Sequence, residues 1–138
     1  MYKIIDHTAD IGMRVEAASL AELFVEAASA MFDMMVAEKR RLIPSVEVPI
    51  SIEAPSLDQL MVRWLSELLY IFETRRLVLT RFWIDEMSEG RLFGAAKGLK
   101  FDSARHDQKL AIKAVTYHRI KVERDEAGRW FAEIIFDI

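Results

Sequence analysis

The first residues of this sequence that could carry chemistry form a dense polar segment near its start. Asp6-His7-Thr8-Ala9-Asp10 contains two carboxylates, an imidazole and a hydroxyl within five residues. One interpretation is a turn in which Asp6 and Thr8 accept hydrogen bonds from nearby backbone amides. The other is a cation site, since carboxylate and hydroxyl oxygens are the ligands that hard divalent metals take in proteins.

A further acidic group lies near the other end, where Asp137 precedes Ile138 in a largely apolar strand pattern. A buried carboxylate needs a partner, and the main-chain carboxylate of Ile138 would lie one residue away. If the first strand pairs near the last, Asp10 joins them, and three converging carboxylates are best neutralised by a divalent ion such as calcium, magnesium or manganese. The alternative is that Asp137 is a solvated acid at a frayed terminus.

Lys113 and His118 are the polar candidates in the late segment formed by residues 112–118. The functional interpretation places one of them beside the acidic cluster, where it tunes the charge of the site or touches a partner's phosphate. The alternative is an edge-strand lysine that discourages aggregation and a half-exposed histidine without a role in a site.

The composition argues against several classes of function. The absence of cysteine removes thiolate zinc sites, disulfides and cysteine nucleophiles. The sequence contains no glycine-rich phosphate loop, no HExxH and no GxSxG motif. A net charge of −3 gives no global basic field, so we expect weak or no autonomous RNA binding. No apolar run reaches the roughly 18 residues of a membrane span, which predicts a cytoplasmic protein without membrane contact.

Two amphipathic helices are predicted in the first half of the sequence. Over residues 19–36 and 56–72, apolar residues recur at the i, i+3, i+4, i+7 spacing of one helical face. Ser19 with Glu22, and Ser56 with Gln59, have the spacing of capping boxes, which predicts where the two helices start.

The remaining segments alternate between apolar and polar residues, which predicts strands. These segments are residues 11–15, 46–52, 77–84, 91–98, 110–123 and 129–138. Pro49 marks the second as an edge strand, and Gly128 predicts a tight turn that makes the last two a hairpin. The pattern predicts a single α+β domain over residues 1–138, with about six strands or more in a mixed or antiparallel sheet and both helices on one face.

Three motifs carry a resemblance to a known family: Asp6-His7-Thr8-Ala9-Asp10-Ile11-Gly12, Lys113-Ala114-Val115-Thr116-Tyr117-His118 and Phe136-Asp137-Ile138. They resemble the archease family, and the resemblance spans essentially the whole chain because the two helices are also similar and in the same order. It implies an α+β fold with a strand-helix-strand insertion. It also implies a divalent metal site at Asp10, Asp137 and Ile138, with calcium as the expected ion and magnesium or manganese as alternatives.

The resemblance further implies a function and a partner. Archeases assist the RtcB-type RNA ligase of tRNA splicing by promoting its GTP-dependent guanylylation and multiple turnover, and they have been linked to tRNA methylation. We therefore expect an activator rather than an enzyme, with Asp6, His7, Lys113 and His118 surrounding the metal ligands or contacting the ligase. The alternatives are a chaperone-like modulator of a tRNA methyltransferase, a plain binding module, and a metal-dependent phosphoester hydrolase with His7 as base.

Overall fold

The described chain consists of two α-helices and eight strands, which confirms the predicted α+β class. The structure, a computed structural model, describes residues 1–6 and 10–138, with Asp6 described by its backbone alone. One turn of 3-10 helix, Lys39–Arg41, follows the first α-helix. The elements in chain order are β1 (Tyr2–Asp6), β2 (Asp10–Ala17), α1 (Leu20–Met35), β3 (Val46–Glu53), α2 (Leu57–Arg75), β4 (Leu77–Met87), β5 (Arg91–Lys100), β6 (Ala114–Val115), β7 (Lys121–Arg124) and β8 (Trp130–Asp137).

Both helices start where their capping residues predict. The Ser19 hydroxyl accepts a hydrogen bond from the Glu22 amide at 3.2 Å, and the Ser56 hydroxyl accepts one from the Gln59 amide at 3.3 Å. These bonds satisfy amides that lack a partner within the helix. α2 runs slightly past its predicted end to Arg75, and the next residue, Arg76, adopts a left-handed φ of 52°. Neither α1 nor α2 combines the length and the hydropathy of a bilayer-spanning helix.

The strands are distributed over two antiparallel sheets, a division that periodicity alone does not specify. The larger sheet has the order β1-β2-β8-β6, with β7 also paired to β8, and the smaller has the order β3-β5-β4. Within the described strands, β3 pairs with β5 alone, so the edge position that Pro49 predicts is confirmed. β3, α2 and β4 follow one another in the chain and form the expected strand-helix-strand insertion.

One predicted strand is wrong, because residues 110–123 form the two short strands β6 and β7 instead of one long strand. The Thr116 amide and hydroxyl both donate to the Ile135 carbonyl, at 3.0 and 2.8 Å, and the His118 amide donates to the Thr116 hydroxyl at 3.2 Å. Arg119 then adopts a left-handed φ of 53°. The chain therefore turns out of the sheet here and returns to the same edge of β8 as β7.

The predicted C-terminal hairpin is confirmed. β7 pairs antiparallel with β8, and the Asp125 amide donates to the Arg129 carbonyl at 2.8 Å across the connection. Gly128 has a φ of 83°, the left-handed conformation that glycine adopts without a steric penalty.

Both helices contact strands of both sheets through one cluster of buried apolar side chains. The fully buried Trp64 of α2 donates its indole N–H to the Phe24 carbonyl of α1 at 2.9 Å, which joins the two helices. Burial alternates along β2 and β8, so one face of the larger sheet packs on the core and the other points away from it. The core-facing residues of these two strands include Ile11, Met13, Val15, Ala132, Ile134 and Phe136.

Candidate metal site

The two aspartates that the sequence singles out at opposite ends of the chain lie side by side. β2 pairs antiparallel with β8, and the register places Asp10 directly opposite Asp137. Directly opposed residues project to the same face of a sheet, with Cβ atoms about 4.5–5.5 Å apart. The two carboxylates therefore share the face that points away from the helices, at the end of the strand pair. The first strand predicted from the sequence corresponds to β2, and its pairing with the final strand β8, on which the predicted site depends, is present.

The two carboxylates differ in their exposure to solvent. Asp137 is exposed, whereas the Oδ1 atom of Asp10 is buried and has no hydrogen-bond partner among the described residues. Leaving a buried polar atom unpaired costs on the order of 1–3 kcal/mol, and more for a charged group. The second carboxylate directly opposite adds electrostatic repulsion. A divalent cation bound between them would relieve both unfavourable terms, so the donor set fits such an ion.

The neighbouring positions on this face of β2 and β8 provide no free positive charge. Next to the aspartates, Gly12 lies opposite Ile135, and both lack a charged group. The following pair is Arg14 and Glu133, and the Arg14 guanidinium donates to Glu133 at 3.0 Å and to Glu16 at 3.3 Å. Arg14 therefore bonds to these two glutamates, and no hydrogen bond from Arg14 to either aspartate is present among the described residues.

β6 flanks Asp137 on the side away from Asp10. Ala114 lies opposite Asp137, and the Lys113 amide donates to the Asp137 carbonyl at 2.8 Å. This bond fixes the backbone of Asp137 at the end of its strand. The Lys113 side chain is exposed and takes part in none of the ion pairs found among residues 1–5 and 10–138. Lys113 therefore adjoins the candidate site through its main chain.

The polar segment between β1 and β2 is described only at its two ends. The register places the backbone of Asp6 opposite Ile11, one residue along β2 from Asp10. The Asp6 side chain and the whole of His7, Thr8 and Ala9 lie outside the described residues. The predicted roles of Asp6 and His7 stay predictions.

His118 and Ile138 take different positions relative to the pair. His118 lies on the turn after β6, farther along the sheet edge from Asp137 than Ala114 is. Ile138 follows Asp137 directly, and its partly buried side chain packs against the core. The expectation that the Ile138 main-chain carboxylate joins the two aspartates stays a prediction.

Among residues 1–5 and 10–138, no group of three or more His, Asp or Glu side chains forms a metal cluster. The aspartate pair supplies two side-chain carboxylates, whereas calcium takes about six to eight oxygen ligands. A calcium ion at this pair would therefore need further oxygen ligands. The unpaired Oδ1 of Asp10 is the feature of the described structure that fits a metal.

Lys39 is a buried charged residue that sequence reasoning missed. It is 5% exposed, and its ammonium donates to the Ser29 carbonyl at 3.1 Å and hydroxyl at 2.7 Å, with Asp33 at 3.4 Å. Burial lowers the pKa of Lys39 from its ordinary value of 10.5, and the Asp33 carboxylate partly opposes this shift. Nothing in the sequence separates this lysine from the exposed Arg40 and Arg41 beside it, because its burial depends on tertiary packing.

Known proteins match the chain over nearly its full length. The model of the Archease protein family (MTH1598/TM1083) matches residues 2–138. The chain is 40% identical over 136 residues to a protein of Pyrococcus furiosus named Protein archease, which covers 96% of this chain and 95% of that protein. It is 39% identical to the protein of the same name from Methanopyrus kandleri, with 97% and 96% covered.

Two solved structures share the fold. The solution structure of protein 1598 of Methanobacterium thermoautotrophicum matches with a TM-score of 0.79 and 32% identity, over 99% of this chain and 98% of that one. A crystal structure from Thermotoga maritima, described as an archease and possible chaperone, matches with a TM-score of 0.66 and 22% identity, over 100% and 98%. At that lower identity the likeness concerns the fold alone.

Proposed function

The chain belongs to the archease family, and we propose that it is a cytoplasmic accessory protein that activates the RtcB-type RNA ligase of tRNA splicing. It promotes GTP-dependent guanylylation and multiple turnover of the ligase and catalyses no reaction itself. The observation that carries this proposal is the opposed pair Asp10 and Asp137, in which a buried carboxylate oxygen lacks a partner.

The proposed ligands of a divalent cation are Asp10, Asp137 and the main-chain carboxylate of Ile138. Calcium is the expected ion, and magnesium or manganese would also suit an all-oxygen ligand set. When bound, the ion supplies positive charge at the end of the sheet. The hydrogen bond from the Lys113 amide holds the Asp137 backbone in position beside Asp10.

The position of the pair supports a role in contacting another protein. Asp137 is exposed at the end of β8, and the adjoining β6 is a two-residue strand at the edge of the sheet. A small-molecule active site is typically concave and removes its substrate from water. A carboxylate pair at a strand end can instead enter the mouth of a partner's active site, with Lys113 and His118 along the neighbouring edge as contacts to the ligase.

The proposal is tested by measuring guanylylation and multiple-turnover ligation by a cognate RtcB-type ligase supplied with GTP and divalent metal. The reactions contain the wild type, Asp137→Asn or the matched control Asp85→Asn, which removes one exposed carboxylate from β4. We expect the wild type and the control to raise turnover. The stimulation by Asp137→Asn should be at least about tenfold smaller than that by the wild type.

Two outcomes would overturn the proposal. Full stimulation by a folded Asp137→Asn protein would remove the carboxylate pair from the mechanism. Lack of stimulation by the wild type would overturn the activator function itself. In that case, hydrolysis of a phosphoester by the purified protein would favour the metal-dependent hydrolase, and altered specificity of a tRNA methyltransferase would favour the modulator.

A further inference from the structure

A broad groove of about 770 Å³ lies between the 3-10 turn after α1 and the loop that follows β5. Its charged lining consists of three cationic side chains, Arg41, Lys100 and Arg105, and one carboxylate, Asp102. The chain as a whole has a net charge of −3. Positive charge is therefore concentrated at this groove, on a protein whose remaining surface carries an excess of acid.

The three cations are available to a ligand. The Arg41 side chain is 80% exposed, and its ion pair with Glu38, at 3.5 Å, is exposed on both sides and contributes little. The Lys100 ammonium donates to the Arg75 carbonyl at 3.1 Å and keeps two further donors. Arg105 is exposed. None of these groups has to leave a buried partner in order to bind an anion.

The single carboxylate of the groove, Asp102, accepts a hydrogen bond within its own loop. Asp102 Oδ1 accepts the Ala104 amide at 3.0 Å, and the Asp102 carbonyl accepts the amides of Arg105 and His106 at 2.9 and 2.8 Å. The Asp102 amide in turn donates to His106 Nδ1 at 2.9 Å. These four bonds fix the backbone of the loop from which Arg105 projects.

The groove wall also carries flat groups. Phe101 packs against the His106 ring at 5.8 Å between centroids and against the Arg76 guanidinium at 5.0 Å. Arg76 therefore adds a fourth cation at the border of the groove. On the opposite side, Ile43 is 82% exposed and provides an apolar contact for a planar ligand group.

We propose that this groove binds the phosphate backbone of a single-stranded nucleic acid. Guanidinium and ammonium groups on a preorganised surface match the regularly spaced charges of phosphodiesters. Exposed Ile43 favours a single strand, because the faces of unpaired bases are free to cover an apolar group without opening a base stack. With three or four charges on an acidic protein, the binding is weak and independent of base sequence, in line with the low autonomous affinity expected from composition.

Lys109 lies in a second groove, which it lines together with Arg41. The groove proposal itself does not depend on the proposed function.

The test is fluorescence anisotropy of labelled 20-nucleotide single-stranded RNA and DNA of mixed sequence, titrated with the protein alone at several salt concentrations. The groove variant is Arg41→Gln with Arg105→Gln. The control is Arg91→Gln with Lys121→Gln, which removes two exposed cations from β5 and β7 and produces the same net charge.

We expect the wild type to bind with a Kd of roughly 10⁻⁴–10⁻⁶ M and the groove variant to bind about tenfold more weakly at low salt. Each lost phosphate contact lowers the slope of log K against log salt by about 0.7, so the variant should lose about 1.4 from its slope. The control should stay within about twofold of the wild type. RNA and DNA should bind alike if the backbone is the ligand.

Equal weakening by the groove and control variants would overturn the proposal in favour of a general charge effect. Absence of binding at the lowest salt would also overturn it, as would competition by polyglutamate at the same charge concentration as RNA. Asp137→Asn should bind RNA as the wild type does. Failure of the groove proposal and failure of the ligase-activator proposal are therefore observed in separate experiments.

Discussion

Asp10 and Asp137 lie directly opposite each other on β2 and β8, although 126 residues lie between them in the sequence. Like charges directly opposed on antiparallel strands destabilise a sheet. Here the nearest arginine on the same strand pair is already bonded to Glu133 and Glu16. The fold thus contains an unfavourable contact that a bound divalent cation would relieve.

Relative to the wild type, a variant that lacks one member of this pair should be more stable without metal and less stable with it. In chelator, Asp137→Asn should be more stable than the wild type by about 0.5–1 kcal/mol, because the cross-strand repulsion is gone. In excess calcium the order should invert, since binding at 100 times Kd stabilises the wild type by about 2.7 kcal/mol. Thermal unfolding in both conditions measures this.

Asp85→Asn is the control for that experiment, because it removes an exposed carboxylate from β4 and leaves the pair intact. It should follow the wild type in chelator and in calcium. A parallel response of Asp137→Asn and the wild type to calcium would show that Asp137 is not a ligand.

A second prediction concerns the main-chain carboxylate of Ile138. Extending the chain by Gly-Ser moves this carboxylate away from Asp137 and leaves an amide in its place. Calcium affinity should fall about tenfold or more if the carboxylate is a ligand, because one anionic group leaves the site. Ile138→Val, which keeps the carboxylate and changes only the side chain, should retain affinity. Equal affinity of the extended protein and the wild type would exclude Ile138 from the ligand set.

A third prediction follows from the buried Lys39. Burial lowers its pKa below 10.5, so between the lowered value and 10.5 the unfolded chain binds a proton that the folded protein does not. The contribution of Lys39 to the free energy of unfolding therefore rises with pH in this window. Urea unfolding measures the free energy of unfolding of the wild type and of Lys39→Met from pH 7.5 to about 10.5. As the pH rises, the difference between the two values should change in favour of the wild type. A constant difference would contradict the lowered pKa.

Two glycines in strands should respond differently to alanine. At Gly98 in the central strand β5, a Cβ would collide with the Val78 carbonyl oxygen of β4, so Gly98→Ala should destabilise by about 1–3 kcal/mol. At Gly12 in β2, the nearest atom is the Ile5 Cβ at 3.4 Å, an ordinary contact. Gly12→Ala should be neutral or slightly stabilising in urea unfolding. Equal losses in both variants would contradict the packing described for β4 and β5.

The elements that local chemistry determines could be predicted from the sequence. Ser19 and Ser56 mark the helix starts because their hydroxyls accept helix amides, and Gly128 marks the hairpin because it adopts a positive φ. The break after β6 could not be predicted, since the apolar alternation continues through residues 110–123. It depends on Thr116, which bonds to β8 and to the His118 amide.

Long-range features were predicted only in part. The aspartate pair was expected only on condition that the first predicted strand, β2, pairs with the final strand β8, and the sequence does not specify the register of that pairing. The groove was missed because Arg41, Lys100 and Arg105 come from separate segments that meet only in the fold. The division into two sheets was missed because alternation shows that a segment is a strand but not which strand it pairs with.

The most direct test of the central claim is calorimetric titration of calcium, and then magnesium and manganese, into the wild type, Asp10→Asn and Asp85→Asn. We predict one saturable site in the wild type and in Asp85→Asn, and affinity at least about tenfold lower in Asp10→Asn. Equal binding by Asp10→Asn, or absence of saturable binding by the wild type, would contradict the assignment of a cation site to Asp10 and Asp137.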